Sequence, residues 1–436
     1  MSMLIILIGF ILLIVFLIMG MPVVFAFGAS CIVMVIGLHY DMSFIMSTAF
    51  TRTSSFILLC IPLFVLAGGI IEKAEMGRYL VNFINLFMGR FKCSLAYVST
   101  LTCGLFGALT GSAAATATCI GSILTPRMKE AGYPDGFIGA LFSSASMLGI
   151  LIPPSSLMIV VAFSTGLNPL TCFISTLVPG IVLMIFFCIV SAVLLRNNTD
   201  IKPIEKMSLQ EWRPHAVKTT GRAVPILCLP VIILGGIYGG FMTPTESAAV
   251  GAFYAIVAAL FIYRTIKMRI LKDSLVESST TAGVIMMSIF MVGVISKILI
   301  YAGLPEAISG FVHSLTVDRY IILLMINIIL VLVGMVMDDI SAILICAPIF
   351  LPLAVGVGVN AYHFAAILGV NMGMAAITPP AAPSLYTCCR VCGCKIQDML
   401  KPDLQFIVFA WIPTLALTTL FPAMALFIPE KMGLVM

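Results

Sequence analysis

Charge is the first thing this chain lacks. Of 436 residues only 9% are Asp, Glu, Lys or Arg, and 61% are hydrophobic. That excludes an ordinary soluble domain and points to an all-α polytopic membrane protein. Histidine is scarce too: the four, at 39, 215, 313 and 363, are scattered and form no H-E-x-x-H pair. No G-x-x-x-x-G-K-[ST] run occurs, so the chain has no P-loop for nucleotide hydrolysis. An intramembrane enzyme, the reading from another functional class, would need a nucleophile with a base or a metal cluster, and neither is visible. Cysteine is present, 13 times, but mostly within apolar runs, which argues against a disulfide framework. The C-x-x-C of Cys388-Cys389-Arg390-Val391-Cys392-Gly393-Cys394 has no second cysteine pair or histidine nearby to complete a metal site. A net charge of +5 would suggest nucleic acid in a soluble chain. Here the basic residues sit in short loops between apolar spans, the positive-inside pattern, and no nucleic-acid partner is expected.

What remains is lipid-facing helix. Apolar runs of roughly 20 residues mark membrane spans. They fall near 2–19, 22–39, 47–72, 136–166 and 170–195, then 222–240, 244–263, 274–300, 362–390 and 402–428. Residues 1–20 carry no basic n-region and no small-x-small cleavage site, so they read as a retained first span. Two further apolar pairs, about 93–125 and 320–356, are interrupted by Thr110-Gly111-Ser112 and by Asp338-Asp339. These read as re-entrant helical hairpins. Segments 74–92 and 301–319 are short and mixed, and read as interfacial arms.

Two of the spans cannot be continuous helix. Pro153-Pro154 and Pro379-Pro380 each lack two backbone N–H groups, which leaves the carbonyls four residues upstream without their helical donors. Unpaired carbonyls in hydrocarbon are tolerated only against a cavity, protein or a cation. The proline pairs lie 226 positions apart, and the same offset sets Phe64 on Phe290, Pro126 on Pro352, Gly132 on Gly358 and Ala140 on Ala366. One register held over about a hundred residues is an internal duplication. It divides the chain into a first repeat (1–199), a connector (200–221) and a second repeat (222–436).

Charge gives the orientation of the copies. The turn Pro126–Asp135 carries Arg127 and Lys129, whereas its counterpart Pro352–Tyr362 carries no charge. The loop 39–43 holds only Asp41, whereas its counterpart holds Arg264, Lys267, Arg269 and Lys272. One copy is therefore upside down relative to the other. Threading on that rule puts both termini outside and 19 of the 23 Lys and Arg in the cytoplasm, all but Arg52, Lys297, Arg319 and Lys431.

Broken helices in matching places mark the binding site of a carrier. Ser112 and Asp338 are good N-cap residues at the hairpin tips, where the free N–H groups of the next half-helix favour an anion. Two cages of oxygens follow, of the kind that suits Na⁺. The first comprises Ala108, Ser112, Gly149, Ile152 and Ser155, with the Ser155 hydroxyl facing the tip. The second comprises Gly334, Asp338, Ala375, Thr378 and Ala381, with the Thr378 hydroxyl facing its own tip. The expected substrate-facing residues are Arg52, Thr110, Gly111, Ser112, Ser156, Asp338 and Ser384. Arg52 can instead snorkel to the interface, and Asp338-Asp339 can instead be a proton relay. Glu246, in Thr243-Pro244-Thr245-Glu246, reads as the closing residue of a capping box rather than a coupling acid.

Five motifs, in order, now carry a resemblance over essentially the whole chain. They are Gly20-Met21-Pro22-Val23-Val24-Phe25-Ala26-Phe27-Gly28, Ile61-Pro62-Leu63-Phe64-Val65-Leu66-Ala67-Gly68, Gly149-Ile150-Leu151-Ile152-Pro153-Pro154-Ser155, Thr243-Pro244-Thr245-Glu246-Ser247-Ala248-Ala249-Val250 and Ile377-Thr378-Pro379-Pro380. Together they resemble the large membrane (M) subunit of tripartite ATP-independent periplasmic (TRAP) transporters. The resemblance implies an elevator-type secondary carrier of the ion-transporter superfamily in the bacterial inner membrane. It also implies Na⁺ as coupling ion, with sodium sites at the tips and breaks, and no organic cofactor. The implied partners are a small four-helix membrane subunit and a periplasmic binding protein that delivers a small organic anion, a carboxylate such as a dicarboxylate or sugar acid. A stand-alone dicarboxylate/sodium symporter of the same architecture is the alternative. Two departures stand out: the family's first tip commonly reads Ser-Gly-Ser and its second break Val-Gly, where this chain has Thr110-Gly111-Ser112 and Ala381-Ala382-Pro383-Ser384.

Overall fold

A computed structural model describes residues 2–41, 43–88, 93–201, 209–316, 318–380 and 382–435. These form helices and, among the described residues, no strand. The first copy runs α1 (Ser2–Ile18), α2 (Val23–Gly37), α3 (Ser43–Thr53), α4 (Cys60–Lys73), α5 (Gly77–Met88), α6 (Ser94–Thr110), α7 (Ala113–Glu130), α8 (Asp135–Ser146), α9 (Leu148–Leu151), α10 (Ser156–Thr165) and α11 (Pro169–Leu195). The second runs α12 (Leu209–Tyr238), α13 (Pro244–Val257), α14 (Met268–Tyr301), α15 (Leu304–Leu315), α16 (Arg319–Gly334), α17 (Asp339–Gly356), α18 (Ala361–Ala375), α19 (Pro383–Cys392), α20 (Ile396–Phe406), α21 (Ile412–Leu420) and α22 (Ala423–Lys431). Seven of the described helices are long and apolar enough to cross a membrane, and α8–α9 with α10 make a further span bent by 48°. Large apolar side chains such as Leu4, Leu7 and Ile11 on α1, or Ile185 and Ile189 on α11, remain exposed, as a lipid-facing surface requires.

The 226-residue register holds in three dimensions. Helix α7 starts at 113 and α17 at 339, α8 at 135 and α18 at 361. Gly132 and its counterpart Gly358 both take left-handed φ, +85° and +79°, where only glycine sits without strain. Both proline–proline bonds are cis. Packing is reciprocal: α7 lies on α19, and α17 on α10. Exchanging the copies turns the first pair into the second, as a pseudo-two-fold axis demands.

Some boundaries differ from expectation for identifiable reasons. The span expected at 402–428 is a helix over Ile396–Leu420, with a π turn at Ile407–Trp411, that stops at Phe421. Pro422 forces the residue before it into extended backbone. The connector is helical from Leu209 onward and continuous with the following span to Tyr238. The arms appear as α5 and α15, each with a strongly apolar face. Ring pairs Phe137–Phe406, Phe187–Phe406 and Phe187–Trp411, 5.7–5.9 Å between centroids, tie α8, α11 and α20 together.

Candidate functional site: a cavity between the hairpin tips

Each hairpin is built to stop in the middle. Helix α6 ends because Gly111 turns left-handed at φ +59°, and Ser112 then caps α7 by accepting from Ala115 N at 3.4 Å. The last-turn carbonyls of α6, Ala108 among them, lose their helical donors there. In the second hairpin Asp338 caps α17, its Oδ2 accepting from Ser341 N at 3.1 Å. Both cap assignments made from sequence hold.

The tips meet the breaks through small residues. A β-carbon at Gly107 would lie 2.4 Å from Gly149 Cα, so α6 and α9 touch backbone to backbone. At Gly149 it would lie 2.9 Å from both the Ser112 carbonyl and the Thr116 hydroxyl, so the break packs directly on the tip, where Thr116 Oγ1 donates to the Ser112 carbonyl at 2.7 Å. In the second copy a β-carbon at Gly334 would lie 2.6 Å from Ala375 Cβ. Ser112 and Gly149, and likewise Gly334 and Ala375, are thus brought into contact.

The hydroxyls are arranged differently. Ser155 Oγ donates to the Ile150 carbonyl at 2.6 Å and accepts from Met158 N at 3.2 Å. It therefore caps α10 and satisfies a carbonyl that Pro154 would otherwise strand, and it does not face the tip. Ser156 does: its Oγ and N both donate to the Gly111 carbonyl, at 2.6 and 3.3 Å. In the second copy Thr378 Oγ1 turns back to Met374 O at 2.7 Å, while the Ala375 and Ala376 carbonyls accept from Thr378 N and Ser384 N. The hydroxyl thus serves its own segment rather than the Gly334–Asp338 tip. Ala381 lies outside the described residues.

Between the tips is a cavity of about 740 Å³. Thr110, Ser112, Ser156, Asp338 and Ser384 line it, five of the seven expected substrate-facing residues. Gly111 accepts from Ser156 behind the lining, and Arg52 belongs to α3, with its side chain outside the described residues. Ser384 bridges the copies, with its Oγ 3.4 Å from Ser146 Oγ and donating to the Ser143 carbonyl at 3.3 Å. Asp338 and Asp339 both line the cavity, and Asp338 Oδ1 is a buried oxygen with no partner among the described residues.

Sequence reasoning missed a second wall. Helices α4 and α14, counterparts in the two copies, contribute Gly68, Gly69, Glu72 and Lys73, and Ser274, Glu277, Ser278, Thr281 and Ser288. The polar residues of α14 recur at helical spacing on one face, a stripe that could have been read in the apolar run 274–300. Thr118 Oγ1 donates to Glu72 Oε1 at 2.7 Å, and Lys73 pairs with Glu277. Glu246 lies elsewhere and closes the expected capping box, its carboxylate accepting from Thr243 N at 2.8 Å.

The comparisons agree with this architecture. The family model described as tripartite ATP-independent periplasmic transporter, DctM component, matches residues 10–424. The C4-dicarboxylate TRAP transporter large permease protein DctM of Pseudomonas aeruginosa is 34% identical over 385 residues, 88% of this chain and 89% of that one. The isethionate TRAP transporter permease protein DctMQ of Oleidesulfovibrio alaskensis is 32% identical over 413 residues, which cover 94% of this chain and 64% of that protein. The YdaH transporter of Alcanivorax borkumensis shares the fold, with a TM-score of 0.60 at 14% identity over 86% of this chain and 88% of that one. The chain therefore belongs to the tripartite ATP-independent periplasmic transporter family as its large permease component, a multi-pass membrane transporter subunit and not an enzyme.

Proposed function

We propose that this permease imports a small organic anion with Na⁺ across the bacterial inner membrane. The anion would be handed over by a periplasmic binding protein, with a small four-helix membrane subunit as partner. The observation that carries the reading is the unpaired Asp338 Oδ1 at the second tip, inside the cavity that both tips enclose. A buried carboxylate oxygen without a partner costs several kcal/mol or neutralises itself. A cation bound beside it removes that cost and makes the site hospitable to an anion. At the first tip the Ser112 carbonyl and the Thr116 hydroxyl lie against Gly149 as neutral oxygens, the kind of donor that suits a hard monovalent ion.

Each part of the chain then has a task. Sodium, a co-substrate here, would be held by Asp338 with the Gly334 and Ala375 segment, and by Ala108, Ser112 and Gly149 at the first tip. The α7 and α17 N-termini present free N–H groups to the substrate. Hairpins and broken helices move together as an elevator against a scaffold that includes α4 and α14. Glu72, Lys73 and Glu277 stand at one end of the cavity, near the basic loop 264–272. By the charge rule that end is cytoplasmic. Each net positive charge moved inward contributes about 2.3 kcal/mol per 100 mV.

The test is uptake into proteoliposomes with and without a Na⁺ gradient, the small subunit and candidate binding proteins. Uptake at equal rates without sodium would reject the proposal. Asp338→Asn should raise the half-saturating Na⁺ concentration at least tenfold, the equivalent of about 1.4 kcal/mol.

A further inference from the structure

The cavity's lining holds four carboxylates, on Glu72, Glu277, Asp338 and Asp339, and one basic side chain among the described residues, Lys73. Among the described lining residues, the positive charge that an anion meets is Lys73, at the cytoplasmic end. Glu72 is already engaged by Thr118 of the hairpin, so Glu277 is left as the partner of Lys73. That pair is open to solvent, with side-chain exposures of 31% for Lys73 and 67% for Glu277. Exposed pairs of this kind contribute little to stability and are readily exchanged.

A second observation points to a ligand at the same place. Ser274 is 1% exposed, lines the cavity, and its hydroxyl has no partner among the described residues. A β-carbon at Gly69 would lie 2.8 Å from Ser278 Oγ, so only glycine there lets α4 approach the Ser278 hydroxyl, which also lines the cavity. Lys73 lies one turn beyond Gly69 on α4, and Ser274 one turn before Ser278 on α14, next to Glu277, which holds Lys73.

We propose that Lys73, Ser274 and Ser278 form a second, low-affinity station for the carboxylate of the transported anion at the release end of the cavity, with Glu277 as its resident competitor. The ammonium and two hydroxyls supply donors. Glu277 then displaces the anion by reclaiming Lys73, which favours release over retention. This station rests on reading the cavity as an anion path.

The probe is succinate, a minimal dicarboxylate, titrated against the full-length chain in nanodiscs with ¹³C-dimethylated lysines, a modification that keeps the charge. Lys73→Arg identifies the Lys73 resonance by its loss, and choline chloride at matched ionic strength is the control. Succinate should move the Lys73 resonance where choline chloride does not. Glu277→Gln should lower the half-saturating succinate concentration about two- to fivefold, and Ser274→Ala should raise it by a similar factor. A merely structural ion pair predicts no succinate response, or a Glu277→Gln variant that binds no better, and either result overturns the station. Sodium-driven uptake is measured on the same preparations. Normal uptake with a silent Lys73 removes the station alone, whereas sodium-independent uptake removes the reading beneath it.

Discussion

Gly107→Ala is the sharpest perturbation available, because the clash is with backbone. Its β-carbon would sit 2.4 Å from Gly149 Cα and 2.8 Å from Gly149 N. Non-bonded carbons are at rest near 3.5–4.0 Å, so α6 and α9 must part by about 1 Å or more. No rotamer change can relieve this, since neither contact atom belongs to a side chain. Overpacking of this sort costs about 1–3 kcal/mol of stability. The functional effect should be larger. Gly111, one turn along α6, is held by Ser156 Oγ at 2.6 Å, and opening the helices by about 1 Å takes that bond past any useful length. Cation sites tolerate ligand shifts of only about 0.2 Å, so sodium binding at the proposed first site should be lost. The assay is Na⁺-dependent uptake in proteoliposomes beside thermal unfolding in detergent. Half-saturating Na⁺ should rise at least tenfold and the unfolding midpoint should fall. Gly283→Ala is the control, since nothing lies within 4 Å of a β-carbon there. Normal sodium affinity in Gly107→Ala would refute the claim that this crossing sets the first tip.

Four other substitutions separate structural from transport roles. Ser155→Ala strands the Ile150 carbonyl and uncaps α10, and should cost about 1–3 kcal/mol in detergent unfolding, whereas Ser156→Ala should spare most of the stability and weaken Na⁺ activation by freeing the tip. Thr243→Ala breaks the capping box of α13 and should cost about 1 kcal/mol while leaving the sodium dependence of uptake unchanged. Asn371→Ala should lower the unfolding midpoint by an amount matching about 1–3 kcal/mol, because Asn371 Nδ2 donates to Asn327 Oδ1 at 2.9 Å and Asn327 Nδ2 to Thr419 Oγ1 at 2.9 Å.

Much of the fold was legible because the strongest signals are subtractive. Proline removes a donor and scarce charge marks loops, so the broken helices and the 226-residue register could be read without knowing a contact. The caps at Ser112, Asp338 and Thr243 were legible for a similar reason, since an oxygen before a helix has few alternatives. Ser155 against Ser156 was not. Adjacent residues on non-helical backbone point in different directions, and only the backbone angles decide which hydroxyl reaches Gly111. Thr378 escaped for another reason: just past the end of α18, the carbonyl four residues back, on Met374, is within its reach at 2.7 Å. The α4–α14 wall carried a sequence signal, hydroxyls at 274, 278, 281 and 288, but its meaning depends on Gly69 facing it from a helix two hundred residues away.

The two copies have kept their geometry and divided their chemistry. In the first, Ser155 and Ser156 tend the break and the tip is neutral, Thr110-Gly111-Ser112. In the second, alanines stand at 381 and 382, backbone N–H groups of Thr378 and Ser384 satisfy the freed carbonyls, and the tip carries Asp338 and Asp339. A neutral cage holds an ion weakly through dipoles, whereas a carboxylate cage holds it through charge and is left with an unpaired anion when the ion departs. The second site should therefore fill first and govern whether the loaded or empty carrier moves. In Asp338→Asn the empty carrier no longer bears that unpaired charge, so exchange of the hairpins across the membrane should proceed without sodium. Cysteine-accessibility measurements at the cavity mouth, with Na⁺ replaced by choline, would show it. A hairpin that stays fixed in Asp338→Asn without sodium would place the control of movement elsewhere.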